Sequence, residues 1–115
     1  MKAIKVEIKF DFRVGHKVFP AGVYVLESAS QINENLLQLR GMEKENQQLI
    51  AANHSYSRIR QSPKLVFHQV GENYYLTDIF LADGNWGFSV RQPRKKVSDN
   101  KNPAQLKVVI VSARN

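Results

Sequence analysis

Ile4-Lys5-Val6-Glu7-Ile8-Lys9-Phe10-Asp11-Phe12-Arg13 is the stretch on which the fold turns. Apolar and charged residues alternate through it without interruption. Successive side chains of a strand point to opposite faces, so Ile4, Val6, Ile8, Phe10 and Phe12 share one face and the charges share the other. A helix would scatter both sets around its circumference. Lys2–Arg13 therefore reads as one half-buried strand.

Downstream the same reading continues. Gly15-His16 and Pro20-Ala21-Gly22 carry turn chemistry: proline presets φ for the first corner, and glycine supplies the positive φ a neighbouring position requires. Val23–Glu27 is a short β-rich run with Tyr24 and Leu26 on one side and Val23 and Val25 on the other. Apolar groups on both faces suit a strand covered on both sides, or an edge curling into a barrel.

Residues 28–57 admit two readings. Ile32, Leu36, Leu39 and Met42 have helical spacing, but Gly41 would interrupt that helix at a cost of about 1 kcal/mol. The preferred reading is a hairpin of Asn35–Arg40 and Gln47–His54 around the polar tip Met42-Glu43-Lys44-Glu45-Asn46, because it agrees with the β pattern on either side. Ser62-Pro63 then stops the chain. Lys64–Val70 and Tyr74–Ala82 flank the loop Gly71-Glu72-Asn73, and Asp83-Gly84-Asn85 leads into Trp86–Val90. Arg91–Pro103, with two prolines and little that is apolar, reads as a long exposed loop. Leu106, Val108 and Ile110 alternate with Lys107, Val109 and Val111 in a last strand that ends by Ala113. The expectation is an all-β chain: one domain over residues 1–115, a β-sandwich or small β-barrel of about eight mostly antiparallel strands.

Two segments carry a resemblance. Phe10-Asp11-Phe12-Arg13-Val14-Gly15 is followed by Phe19-Pro20-Ala21-Gly22-Val23-Tyr24, and Ser62-Pro63-Lys64-Leu65-Val66-Phe67-His68 is followed by Gly71 and Tyr74-Tyr75-Leu76. In order and spacing they resemble a family of small bacterial proteins, usually exported and without an assigned activity, over roughly residues 4–82. The matched motifs are turn and core patterns. The resemblance implies an all-β domain in the exported or periplasmic fraction and transfers no functional residue. Members of that family typically begin with a signal peptide. The opening Met1-Lys2-Ala3-Ile4-Lys5 has no continuous apolar stretch, and Val108–Val111 is far short of the roughly 20 residues that span a bilayer, so the chain as it stands reads as soluble.

Composition narrows the chemistry. The 115 residues are 43% hydrophobic and 23% charged, which excludes a collagen, a disordered polyampholyte and a membrane bundle. With no cysteine there is no disulfide, thiol nucleophile or thiolate metal site. His16, His54 and His68 sit on three different elements without metal-ligand spacing, so the sequence implies neither a metal nor a cofactor. Asp11, Asp78 and Asp83 adjoin apolar strands, but Asp83 is explained by its turn and Asp11 by a solvent face. No nucleophile elbow or phosphate loop is present. A small hydrolase is the last of the readings; the expectation is a protein that is not an enzyme.

What stands out is charge. The formal net is +7, and residues 1–87 hold ten basic and nine acidic groups. Nearly all the excess therefore lies beyond them, in Arg91, Arg94, Lys95, Lys96, Lys101, Lys107 and Arg114 against Asp99. A run of one sign is the footprint of an anionic partner or of a solvated loop. Arg91, Arg94, Lys95, Lys96 and Lys101 are the candidate anion-binding residues. Tyr75, Trp86 and Phe88, just ahead of them, are the candidate aromatic contacts; core packing is the competing use of such rings. The function expected is a binding or structural module of the cell envelope or exported fraction that touches an anionic surface or polymer. The alternative is an oligonucleotide-binding-type barrel that holds single-stranded nucleic acid through the aromatics and the basic loop.

Overall fold

A computed structural model describes residues 3–30, 32–33, 35–43, 46–92 and 106–113. Among them there is no helix, and ten strands are present: β1 (Ala3–Ile8), β2 (Phe12–Val14), β3 (Lys17–Phe19), β4 (Gly22–Ser28), β5 (Leu36–Arg40), β6 (Gln47–Gln61), β7 (Lys64–Val70), β8 (Asn73–Phe80), β9 (Gly84–Val90) and β10 (Leu106–Ser112). The chain is all-β. The strands form one ladder in the order β1-β4-β5-β6-β9-β8-β2-β3, with β7 on β8 and β10 on β7. Every pairing is antiparallel apart from a single parallel bridge between Arg13 of β2 and Tyr75 of β8.

The opening segment is two strands, where the alternation suggested one. β1 pairs with β4 (Ile4 opposite Leu26, Val6 opposite Tyr24), whereas β2 pairs with β3 and touches β8. Between them the chain turns a corner from one part of the sheet to the other. Asp11 Oδ1 accepts the Ala21 N–H at 2.9 Å, and the Phe10 ring stacks on Tyr74 at 4.0 Å. Alternation survives that corner because Ile8 and Phe12 are both buried, so the pattern does not reveal where the backbone bends. Lys2, the expected start, lies outside the described residues. The extra strand β3 follows from a two-residue turn, Gly15-His16, with Gly15 at φ 61°. Gly71-Glu72 closes β7 and β8 in the same way, with Gly71 at φ 61°, so Asn73 belongs to β8 and not to a three-residue loop. β8 ends at Phe80 rather than Ala82, and β9 already begins at Gly84.

The 28–57 segment is the hairpin. Leu36–Arg40 pairs with Gln47–Ala51 in register, and the helical spacing of Ile32, Leu36, Leu39 and Met42 plays no part. β6 then runs on to Gln61, changing partner from β5 to β9 at Ala52. That long strand joins the β1-β4-β5 side of the ladder to the β9-β8 side, which carries β2-β3 and β7-β10, and both sides bury their apolar faces in one cluster. Ile4, Val6, Ile8, Tyr24, Leu26, Leu37 and Leu39 come from the first; Phe12, Phe19, Leu65, Phe67, Leu76, Ile79 and Val90 come from the second.

Tyr24 is the hinge of this packing. Its ring meets Phe12 edge-on at 5.1 Å and Phe19 at 6.1 Å, and its hydroxyl donates to the Pro20 carbonyl at 2.6 Å. The Pro20-Ala21-Gly22-Val23-Tyr24 motif is thus a corner held by its own residues. Gly41 is required beside it, since a Cβ there would sit 2.8 Å from the Tyr24 ring.

Candidate functional site: the β6–β9 ribbon

Beyond Ala52, β6 has left β5, and among the described residues its ladder partner is β9. β9 in turn bridges to β8 only at Phe88 and Ser89. The outer end is therefore a two-stranded ribbon. Residues directly opposite in an antiparallel pair share a face. Ala52 faces Val90, His54 faces Phe88 and Tyr56 faces Trp86, and all six lie on the side that continues the core.

Along this face burial decreases in steps. Ala52 and Val90 are buried, Phe88 is half-buried against the core, and Tyr56 and Trp86 are 60% and 62% exposed. The His54 and Phe88 rings lie 4.9 Å apart at 39°, and the Tyr56 and Trp86 rings 5.1 Å apart at 65°. The outcome is a ladder of two ring pairs emerging from the core into solvent. Its charge has one sign. From Gln47 through Gln61 and from Gly84 through Gln92 the ionised side chains are Arg58, Arg60 and Arg91, with no acid. All three arginines are exposed, and among the described residues none is ion-paired. At the base of the ribbon Arg91, Asn35, Asn53 and Ser89 line an open depression of about 450 Å³. The Gln92 amide, donating to the Leu76 carbonyl at 2.9 Å and the Val90 carbonyl at 2.7 Å, holds the chain there.

The sequence-derived candidates divide. Trp86 and Phe88 share the ribbon face, but Tyr75 does not join them. Tyr75 lies opposite His68 and Arg13, on the outer side of β8, while Leu76 and Ile79 point into the core and Phe88 stands opposite Ile79. Its neighbour Tyr74 takes the inward direction, stacked on Phe10, and adjacent strand residues cannot both do so. Arg91 is at the ribbon base; Arg94, Lys95, Lys96 and Lys101, with most of the expected 91–103 loop, lie outside the described residues. Sequence reasoning missed Tyr56, Arg58 and Arg60, and weighed His54 only as a metal ligand. The signal was present as two aromatic-type rings and two arginines at alternate positions of one strand, but nothing in the sequence pairs them with Trp86.

The other candidate groups do not converge. Asp11 caps the corner at Ala21. Asp78 lies beside the extra residue of a β-bulge: the Thr77 hydroxyl is 3.0 Å from its Oδ2 and 3.1 Å from the Val66 carbonyl oxygen. His16 is in the β2–β3 turn, His54 is on the ribbon, and His68 lies opposite Tyr75 and Val108. Among the described residues no three His, Asp or Glu side chains come together.

Compared with known protein families, curated proteins and solved structures, the chain matches none.

Proposed function

We propose that the protein is a non-enzymatic binding module whose β6–β9 ribbon grips an anionic polymer or surface. One observation carries this reading: the Tyr56–Trp86 pair stands open to solvent on a ribbon whose charges are all positive. Burying rings of this size from water drives association, and exposed arginines supply long-range attraction and directed hydrogen bonds to anions. Arg94, Lys95 and Lys96, next in sequence after Gln92 and Pro93, carry charge of the same sign. The resemblance noted for residues 4–82 supports a place in the cell envelope or exported fraction, where such a module adheres rather than turns over a substrate.

Trp86 is the chain's only tryptophan, so its emission reports on the ribbon directly. Titrating the protein with a panel of polyanions (oligonucleotide, polygalacturonate, polyglutamate and vesicles rich in phosphatidylglycerol) is expected to shift or quench that emission for at least one of them, and added salt is expected to reverse the change. An emission indifferent to every member of the panel overturns the proposal.

A further inference from the structure

We infer that the polymer the ribbon is shaped for is single-stranded nucleic acid. This rests on the reading of the ribbon as an anion-binding surface, and it adds the class of ligand.

The first argument is geometric. Tyr56 and Trp86 are tilted 65° to each other, so they form a corner and not a shared flat platform. A planar heterocycle fits such a corner, stacking on one ring with its rim against the other, the two arrangements aromatic rings prefer. A puckered sugar ring lays a C–H face on one ring but brings no aromatic rim to the other. The second argument is spacing. The Tyr56–Trp86 and His54–Phe88 pairs are two residues apart along each strand, about 7 Å at the usual strand rise. That is roughly twice the ~3.4 Å separation of stacked nucleotides, so a base seated at Tyr56–Trp86 leaves the next base of an unstacked strand level with the exposed His54 ring. The third argument is charge. Arg58 and Arg60 follow Tyr56 along β6, and Arg91 follows Val90 at the other end of the ladder. Rings flanked by cations are what sequence-tolerant single-strand binding uses: bases stack and phosphates are held. A second copy of this chain would bring arginines against arginines, and an acidic peptide would leave the ring corner without a planar occupant.

The test is fluorescence anisotropy of a fluorescein-labelled oligo(dT) titrated with the full chain, alongside the matching duplex and labelled polygalacturonate. The oligo(dT) is expected to bind, with log affinity falling against log salt at a slope of about −2, the value that three phosphate contacts give on a single strand. Trp86→Ala and Tyr56→Ala are each expected to weaken binding about tenfold, the scale of one lost base stack. Trp86→Phe is expected to recover most of that loss, and the double variant R58A/R60A to flatten the salt slope. Both aromatic positions are exposed, and unchanged circular dichroism confirms that the variants are folded. Duplex binding as tight as single-strand binding, or oligo(dT) binding that ignores Trp86→Ala and Tyr56→Ala, overturns the inference. Binding of polygalacturonate but not oligo(dT), lost on Trp86→Ala, overturns it as well while the broader ribbon reading stands. No binding by any probe removes both.

Discussion

Tyr24 meets Phe12 edge-on, ring centroids 5.1 Å apart and planes at 83°, and this contact ties β4 on one side of the ladder to β2 on the other. Burial, and secondarily the nearby Asp11 carboxylate, raises the Tyr24 phenol above its ordinary 10.0. Its hydroxyl is donated to Pro20. Tyr24→Phe is therefore expected to cost about 1 kcal/mol, the usual worth of one hydrogen bond. Truncation to alanine should cost about 3–5 kcal/mol, the range for a large aromatic removed from a core. Urea unfolding at neutral pH measures both.

The raised phenol also sets an alkaline limit. The folded state holds the proton after the unfolded chain has released it, so this contribution to stability is fully present below pH 10.0 and is lost as pH rises through the folded value. Urea midpoints followed upward from neutrality should fall above that pH, and fall less in Tyr24→Phe. An equal decline in both proteins would remove Tyr24 as the cause.

Gly87 lies beneath the Phe80 ring, where a Cβ would stand 2.6 Å from two ring carbons and 2.8 Å from the Ile79 carbonyl oxygen. Gly87→Ala should destabilise by about 1–3 kcal/mol through overpacking. Adding Phe80→Leu should return part of that loss, because the ring is one of the two obstacles. A double-mutant cycle in urea gives the coupling, and additive losses would mean that the Ile79 carbonyl carries the clash.

At Gly71 the constraint is conformational alone. Nothing lies within 4 Å of a Cβ placed there, yet φ is 61°, a region that L side chains enter at a cost of about 1–2 kcal/mol. Gly71→Ala is expected to lose that amount and Gly71→Asn less. Thermal unfolding of the two variants side by side checks the order.

Exposure should separate binding from stability on the ribbon. Trp86→Ala, at a 62% exposed position, is expected to change folding stability by less than about 0.5 kcal/mol. Phe88→Ala, whose ring packs against the core, should cost a substantial part of the roughly 3–5 kcal/mol of a fully buried phenylalanine. If Trp86→Ala proved as costly as Phe88→Ala, Trp86 would belong to the core and not to a binding face.

Much of this molecule follows from local chemistry. Side chains of period two mark Lys2–Arg13 and Trp86–Val90 as extended, turn signals bracket Lys64–Val70, and glycines at 15 and 71 mark the turns, because strand geometry and positive φ are properties of a few consecutive residues. The run of arginine and lysine after Val90 is likewise visible without any coordinates. Three decisions were made only in the folded chain. Val109 and Val111 are half-buried while Val108 and Ile110 stay 61% and 57% exposed, a choice between two apolar faces that only β7 and its register make. Tyr75 is turned away from Trp86 because Tyr74 takes the inward place against Phe10. Tyr56 meets Trp86 because β6 changes partner at Ala52, a pairing across thirty positions of sequence. Alternation states that a residue has a face; the partner strand decides which face water sees.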